Sequence, residues 1–474
     1  MGRVWEAQGL LLPLAVGGWG REQGGPAWLG RRAQILIELY YAPRKIHSGV
    51  NRFTSPVWKE QMNLRRLSAV SFGHMAIDIL NASIAMILAV LAVPFEISNA
   101  QIGLGGMAYA LMGSLSQPFF GVLADRFGGR WLGALGLLWT AVFYYAATFS
   151  QDYFTLITLM TVASLGSGAF HPQGAMNAGA AGGHKATTGT SVFFLLGQLG
   201  LAMGPMIAGV LLEEIWMLGP RIMAIATLPF VVWMAFGLRK PLVRVEPEPP
   251  RPATVEERRR LQQRIARERA MSNRVSQPNR RWVALVAFAI LVALRASVHQ
   301  IFYGMLPKYF ADLGFSPTQF GFMVGVPSVA IALGSMSGGI LGDRYDQPKI
   351  LLWSLLAATP FSWLMLDIVD GWVFFPLAFA AGFLVGIPHS ILVVMAQRFL
   401  PNRQGLASGA ILGFTFASGA LGMGLAGPIA DLYTLSGVMH VVAVMPLFAA
   451  LCAVFLRTRI ATALPMAPAA GSAD

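Results

Sequence analysis

A chain of 474 residues that is 55% hydrophobic and 12% charged, with a mean hydropathy of +0.59, is too apolar for a water-soluble domain, where about a quarter of residues carry charge. Apolar runs of about 20 residues recur along it, the length a helix needs to cross a bilayer core of about 30 Å, and none alternates as barrel strands do. A net charge of +13 would suit nucleic acid, but 32 of the 35 Lys and Arg fall on one side of the predicted membrane, which argues for the positive-inside rule and against that partner.

The chain opens with an extension, residues 1–66, rich in Gly and Arg and without sustained periodicity; it is expected to be poorly ordered and cytoplasmic. Met62 is the expected start of translation. Six spans follow, at 68–94, 101–122, 131–149, 154–176, 187–212 and 218–238, so that 67–238 is an N-terminal six-helix bundle. A cytoplasmic linker, 239–281, begins Pro/Glu-rich and continues as a basic surface helix, Glu256–Arg269, expected to skim anionic lipid. Spans at 282–305, 317–341, 350–368, 372–396, 406–428 and 438–456 form the second bundle, 282–457, before a cytoplasmic tail, 458–474. The expectation is an all-α integral membrane protein of twelve helices in the cell inner membrane, both termini cytoplasmic. The one cysteine, Cys452, allows no intrachain disulfide.

The halves repeat. Gly121-Val-Leu-Ala-Asp125-Arg126 after the second span recurs as Gly339-Ile-Leu-Gly-Asp343-Arg344 after the eighth, an offset of 343 − 125 = 218 residues, and duplicated halves around a central site are a common plan for secondary transporters. Gly121 permits close helix approach, and Asp125 suits a neighbouring helix N-terminus. In the fifth span, Gly200, Gly204, Pro205 and Gly209 allow close packing and a bend.

Ionisable groups at membrane depth are costly and usually functional. In the first span His74, Asp78 and Asn81 share one face, a carboxylate beside an imidazole, suited to proton exchange or to a structural hydrogen-bond cluster. Arg295 in the seventh span, with His299 one turn on, needs an anion: either Asp78 or an acidic substrate. His171 precedes Pro172 and His389 follows Pro388; each could line a cavity or bond carbonyls freed by the proline. Gln198 is a candidate substrate contact or interhelical bond. A metal site is not expected, because no two of these histidines share a helix, and no cofactor is called for. No Gly-x-x-x-x-Gly-Lys-Ser/Thr loop supports ATP-driven pumping.

The run Gly121 to Arg130, with Asp125, Arg126, Gly128 and Arg130, resembles the signature loop of the major facilitator superfamily, with Gly129 in place of a second basic residue. The second copy keeps Asp343 and Arg344 but has Asp346 and Pro348 where glycine and a basic residue are usual. The fifth-span glycines and Pro205 are similar to the antiporter motif of that superfamily. A closer resemblance, over about residues 68–456, is to the fosmidomycin resistance proteins, carried by Ser71-Phe-Gly-His74-Met-Ala-Ile-Asp78, by Gly166-Ser-Gly168-Ala-Phe170-His171-Pro172-Gln173-Gly174 and by Leu400-Pro401-Asn402-Arg403-Gln404-Gly405 with Gly409 and Gly413. Gln173 stands where that family has an acidic residue. The resemblance implies a monomeric, proton-coupled exporter of a small polar or anionic drug or metabolite. A facilitator or importer of a small organic acid, and a non-transporting receptor, are the other readings the sequence leaves open; an enzyme is not expected.

Overall fold

The computed structural model describes residues 62–127, 131–238, 278–399 and 404–456. The extension before Met62, the basic helix expected at Glu256–Arg269, Gly128, Arg130 and the C-terminal tail therefore lie outside the described residues, as do the side chains of Asp125 and Arg126. Lipid offers no partner to a backbone amide, so every span closes its own hydrogen bonds as a helix. The helices are α1 (Leu64–Leu91), α2 (Asn99–Phe127), α3 (Leu132–Ala147), α4 (Tyr153–Ala181), α5 (Ala186–Ile215), α6a (Leu218–Ala226) and α6b (Leu228–Gly237), then α7 (Pro278–Asp312), α8 (Pro317–Arg344), α9 (Gln347–Asp367), α10a (Phe374–Gly386) and α10b (Pro388–Phe399), α11 (Gln404–Leu432) and α12 (Leu435–Phe455). The described residues thus hold twelve spans in two groups of six, and ten of the spans are long and apolar enough to cross a membrane by length and composition alone.

Most spans run beyond their predicted ends. Pro307 does not end α7, which continues to Asp312, whereas spans six and ten each break, at Thr227 before Pro229 and at Ile387 before Pro388, because proline cannot donate to the preceding turn. Side chains mark several starts: Asn63 accepts from Arg66 N–H, Asp152 from Thr155, and Ser316 with Gln319 forms a capping box. The Thr155 hydroxyl and amide hold the Asp152 carboxyl below its usual range.

Packing tells which way the halves lean. One core contains residues of both bundles, among them Ile87, Ile102, Tyr153, Met305, Phe320, Phe374 and Met423, all toward the face opposite the terminal face, where α1 begins and α12 ends. Toward the terminal face the apolar interior divides in two: Leu67, Val70, Leu137, Phe193 and Met234 belong to the first bundle alone, and Leu291, Leu355, Ile391 and Ala453 to the second. Glycines agree. A Cβ at Gly103 of α2 would lie 2.7 Å from the Met423 carbonyl oxygen of α11, and one at Gly209 of α5 would lie 3.2 Å from Gly321 of α8, whereas at Gly121 and Gly413, near the terminal face, it would meet nothing within 4 Å. The molecule is closed on the far face, and its halves part toward the termini. The close approach expected at Gly121 is accordingly not made among the described residues.

Two carboxylates pin the closed face. Asp431, at the end of α11, accepts the backbone N–H groups of Asn99 and Ala100 at 2.9 and 2.8 Å, which are the open amides at the start of α2. Glu213, at the end of α5, accepts Thr318 N–H and the Ser316 hydroxyl at 2.8 Å each, at the start of α8. The carboxylates are 431 − 213 = 218 residues apart and the amides of Ala100 and Thr318 are too, so these are two copies of one contact. A negative charge at a helix N-terminus is worth about 0.3–1 kcal/mol at an exposed site, and Asp431 places it between the halves. Asp343 and Arg344, by contrast, stand exposed with no hydrogen bond or ion pair among the described residues; the start of α9 is capped by Asp346, which accepts Lys349 N–H at 3.1 Å. Asp431→Asn should therefore open the far face about two- to fivefold more often, and adding Glu213→Gln should push it further. The readout is maleimide labelling, from that side, of a cysteine placed at Met305 in a Cys452→Ser background.

Candidate substrate and proton site

The polar residues of α1 do share a face, and α4 closes over them. His74 Nε2 lies 3.1 Å from Asp78 Oδ2, and His171 Nε2 of α4 lies 3.4 Å from Asp78 Oδ1. Asn81 Nδ2 donates to Asp78 Oδ1 at 3.0 Å and to Ser167 Oγ at 3.1 Å, while its Oδ1 accepts the Tyr109 hydroxyl at 2.5 Å. Each imidazole is oriented from behind. His74 Nδ1 donates to Phe193 O and His171 Nδ1 to Ser167 O, both at 2.8 Å, since a carbonyl oxygen can only accept. Ser167 O is not the carbonyl that Pro172 frees, which is Gly168 O, so proline repair does not explain His171. Side-chain exposure is 4% for His74, 7% for Asp78 and 26% for His171, so the cluster opens only past His171.

α5 makes this arrangement possible. A Cβ at Gly197 would lie 2.6 Å from His74 Nδ1, one at Gly200 3.1 Å from Asp78 Cβ, and one at Gly204 2.7 Å from Ile79 O. The His74 ring also stacks on Phe193, centroids 3.9 Å apart. The glycines of the predicted fifth-span motif thus serve two neighbours: Gly200 and Gly204 seat α1, and Gly209 with Pro205 O seats α8 through Gly321.

The second bundle carries the opposite charge. Arg295 of α7 is 5% exposed, its Nη2 lies 3.3 Å from His389 Nδ1 at the start of α10b, and its Nε is buried without a hydrogen-bond partner. Among the described residues no carboxylate lies within ion-pair distance of it, so the pairing of Arg295 with Asp78 is not made in this state; Asp78 turns to its histidines instead. His171 and His389 are separated by the repeat offset of 218 residues, each reaching the first helix of its own bundle, one to a carboxylate and the other to a guanidinium. His299 stacks loosely on Tyr303, at 6.0 Å, and both line a small apolar recess with Phe302, Ser328 and Ser362. That recess lies within the second bundle and reaches neither Arg295 nor Asp78. Gln198 is half-buried and makes no hydrogen bond among the described residues. Gln173 is 3% exposed with its Oε1 unpartnered.

Sequence reasoning missed Tyr109, Ser167 and Tyr303, whose hydroxyl donates across the halves to Leu201 O at 3.4 Å. A tyrosine in mid-span rather than at a helix end was the available signal. The argument against a metal site also looked only within helices, whereas His74 and His171 meet around Asp78 from two different ones.

Two six-helix bundles that meet on one face and enclose buried, opposed charges are the plan of a secondary membrane transporter. The chain belongs to the major facilitator superfamily, whose family model matches residues 70–311 and 288–471. It is 24% identical over 397 residues to the fosmidomycin resistance protein of Escherichia coli (strain K12), covering 80% of this chain and 90% of that protein, and 23% identical over 383 residues to the uncharacterised MFS-type transporter YfnC of Bacillus subtilis (strain 168), with the same coverage. Its fold is similar to the inward-facing, unoccupied bacterial homologue of the human lysosomal transporter Spinster, with a TM-score of 0.67 at 13% identity over 85% of this chain and 98% of that one. It is also similar to a point mutant of the nucleoside transporter NupG, with a TM-score of 0.64 at 13% identity over 83% and 100%.

The seating of His74 gives a direct test. Gly197→Ala should displace the ring from Phe193 O and abolish transport while leaving the size-exclusion profile of the purified protein unchanged; retention of full transport would show that the ring's position is not needed.

Proposed function

We propose that this transporter is a proton-coupled exporter, an antiporter in the inner membrane that expels a small polar or anionic compound of the fosmidomycin class from the cytoplasm. The observation that carries the reading is the pair of opposed buried charges: a carboxylate held by two histidines in one bundle, and in the other a guanidinium with an unpartnered Nε and no carboxylate within reach among the described residues. A charge at membrane depth costs at least about 2.5–3.5 kcal/mol, so Arg295 gains when an acidic substrate enters and Asp78 gains when protons do. Arg295, His299 and His389 hold the substrate from the second bundle, and His171, Asn81 and Gln198 face it from the first. Asp78 with His74 carries the coupling proton. In this state the halves are parted toward the termini, which the distribution of Lys and Arg puts in the cytoplasm, so the site loads from inside. Protons arriving from outside reach Asp78 after the far-face contacts of Asp431 and Glu213 release. The likeness to the fosmidomycin resistance protein supports both the substrate class and the direction, and the protein works as a monomer with no cofactor.

The test uses an efflux-deficient, fosmidomycin-sensitive bacterium and measures intracellular fosmidomycin with and without an uncoupler. Wild type should hold the drug below the empty-vector level, and the uncoupler should erase the difference. Asp78→Asn should match the vector at equal membrane expression. Arg295→Gln, which removes a buried charged partner, should weaken substrate binding roughly thirtyfold or more, and Arg295→Lys should restore only part of it because an ammonium cannot bind bidentately. Equal drug levels in wild type and vector would reject this substrate, and a gradient unchanged by Asp78→Asn would reject the coupling site.

A further inference from the structure

We propose that His74, Asp78 and His171 also form a binding site for a single divalent transition-metal ion of the Zn²⁺ or Co²⁺ class. Three donors converge from two helices, with all their ligand atoms within 4.8 Å of one another. Zinc bound tetrahedrally at about 2.0–2.1 Å sets its ligands roughly 3.3 Å apart. The Asp78 oxygens already lie 3.1 Å from His74 Nε2 and 3.4 Å from His171 Nε2. The two contacts go to different oxygens, so both imidazoles must draw in around one of them, and His171, the most exposed of the three, is the one with room to turn.

The orientation of the rings is that of metal ligands. Metal-bound histidine usually donates its other ring N–H to a carbonyl or carboxylate, which fixes the tautomer and aims the remaining lone pair. Here Phe193 O and Ser167 O take the two Nδ1–H groups. In the neutral imidazoles that leaves both Nε2 atoms as acceptors pointing at a carboxylate, which is an acceptor too. Such convergence is relieved by a proton on an imidazole or by a metal ion held between them. Behind the carboxylate, Asn81 donates to Oδ1 and is itself held by Tyr109, a second layer of the sort that steadies a ligating carboxylate. Three protein ligands leave the fourth tetrahedral position open past His171 to water or to an anionic group, as in sites that exchange ligands. Imidazole and carboxylate donors favour zinc, cobalt or nickel over calcium or magnesium. A bound ion would occupy the lone pairs that the coupling protons use, so it would inhibit transport by filling the site. This inference uses the residues of the coupling site but is tested without transport.

The experiment titrates Co²⁺ into the purified, tag-free full chain in detergent and follows the visible d–d absorption, which is far stronger for tetrahedral than for octahedral cobalt. The expected result is saturation at one equivalent, displacement by Zn²⁺, and loss of the band in His171→Ala and in Asp78→Asn. His440→Ala, which removes a separate surface pair with Asp367 at 2.9 Å, should leave the band intact. Because His171 is partly exposed, its variant should elute and melt like wild type, so loss of the band there reads ligation rather than misfolding. No band, a band of octahedral strength only, or a band that persists in His171→Ala overturns the proposal. Proton-dependent export without the band would sink the metal site alone, whereas the band in a chain that moves no substrate would sink only the export reading.

Discussion

Everything at the centre of this protein follows from the contact between Asp78 and the two imidazoles that flank it. A carboxylate shut in an apolar bundle cannot rely on water, so the chain must supply it with cationic or hydrogen-bonding partners, and each of those partners must in turn be held. His74 is fixed by Phe193, His171 by the carbonyl one turn before it, Asn81 by Tyr109 and Ser167. This chain of supports ties α1, α2, α4 and α5 into one unit.

The second bundle repeats the geometry with the sign reversed. The same spacing that relates the two Asp-Arg loops relates His171 to His389 and Glu213 to Asp431. Duplication has therefore kept the frame, the histidine on the fourth helix of each bundle and the carboxylate that seals the far face, while the first helix carries Asp78 in one bundle and, one position short of the repeat offset, Arg295 in the other. The two bundles therefore bury opposite charges, a carboxylate in one and a guanidinium in the other. The far-face contacts are exposed and individually modest, which suits a closure that must open in each cycle, whereas the inner charges are buried and persist.

Much of this could be read from the chain. Span number, the division into halves and the repeat are written in runs of apolar residues and in one duplicated loop, signals that lipid makes strong because nothing but helix survives there. The grouping of His74, Asp78 and Asn81 followed from helical spacing alone. What spacing could not give was the contact across helices: that His171 completes the cluster, that Arg295 turns to His389, that Tyr109 and Tyr303 reach inward. Those depend on which faces meet, and a helix with polar residues on one side does not name its neighbour. The far-face carboxylates were missed for a related reason. Glu213 and Asp431 sit at helix ends, where acidic residues are ordinary, and their partners are backbone amides that carry no sequence signal at all.

The fifth helix makes the close packing that its glycines suggested, and makes it on two neighbours. Gly197, Gly200 and Gly204 press against the part of α1 that carries His74 and Asp78, and one to three turns later Gly209 and Glu213 press against the start of α8 in the other bundle. Close packing is what lets a single helix touch both the charge cluster and the closed face. Glycines this close to α1 leave no slack between the two helices, because interiors packed to crystal density transmit displacement rather than dissipate it. Pro205 lies between the two contact regions and removes one backbone hydrogen bond there, so the one weak point of α5 falls between the charge cluster and the closed face.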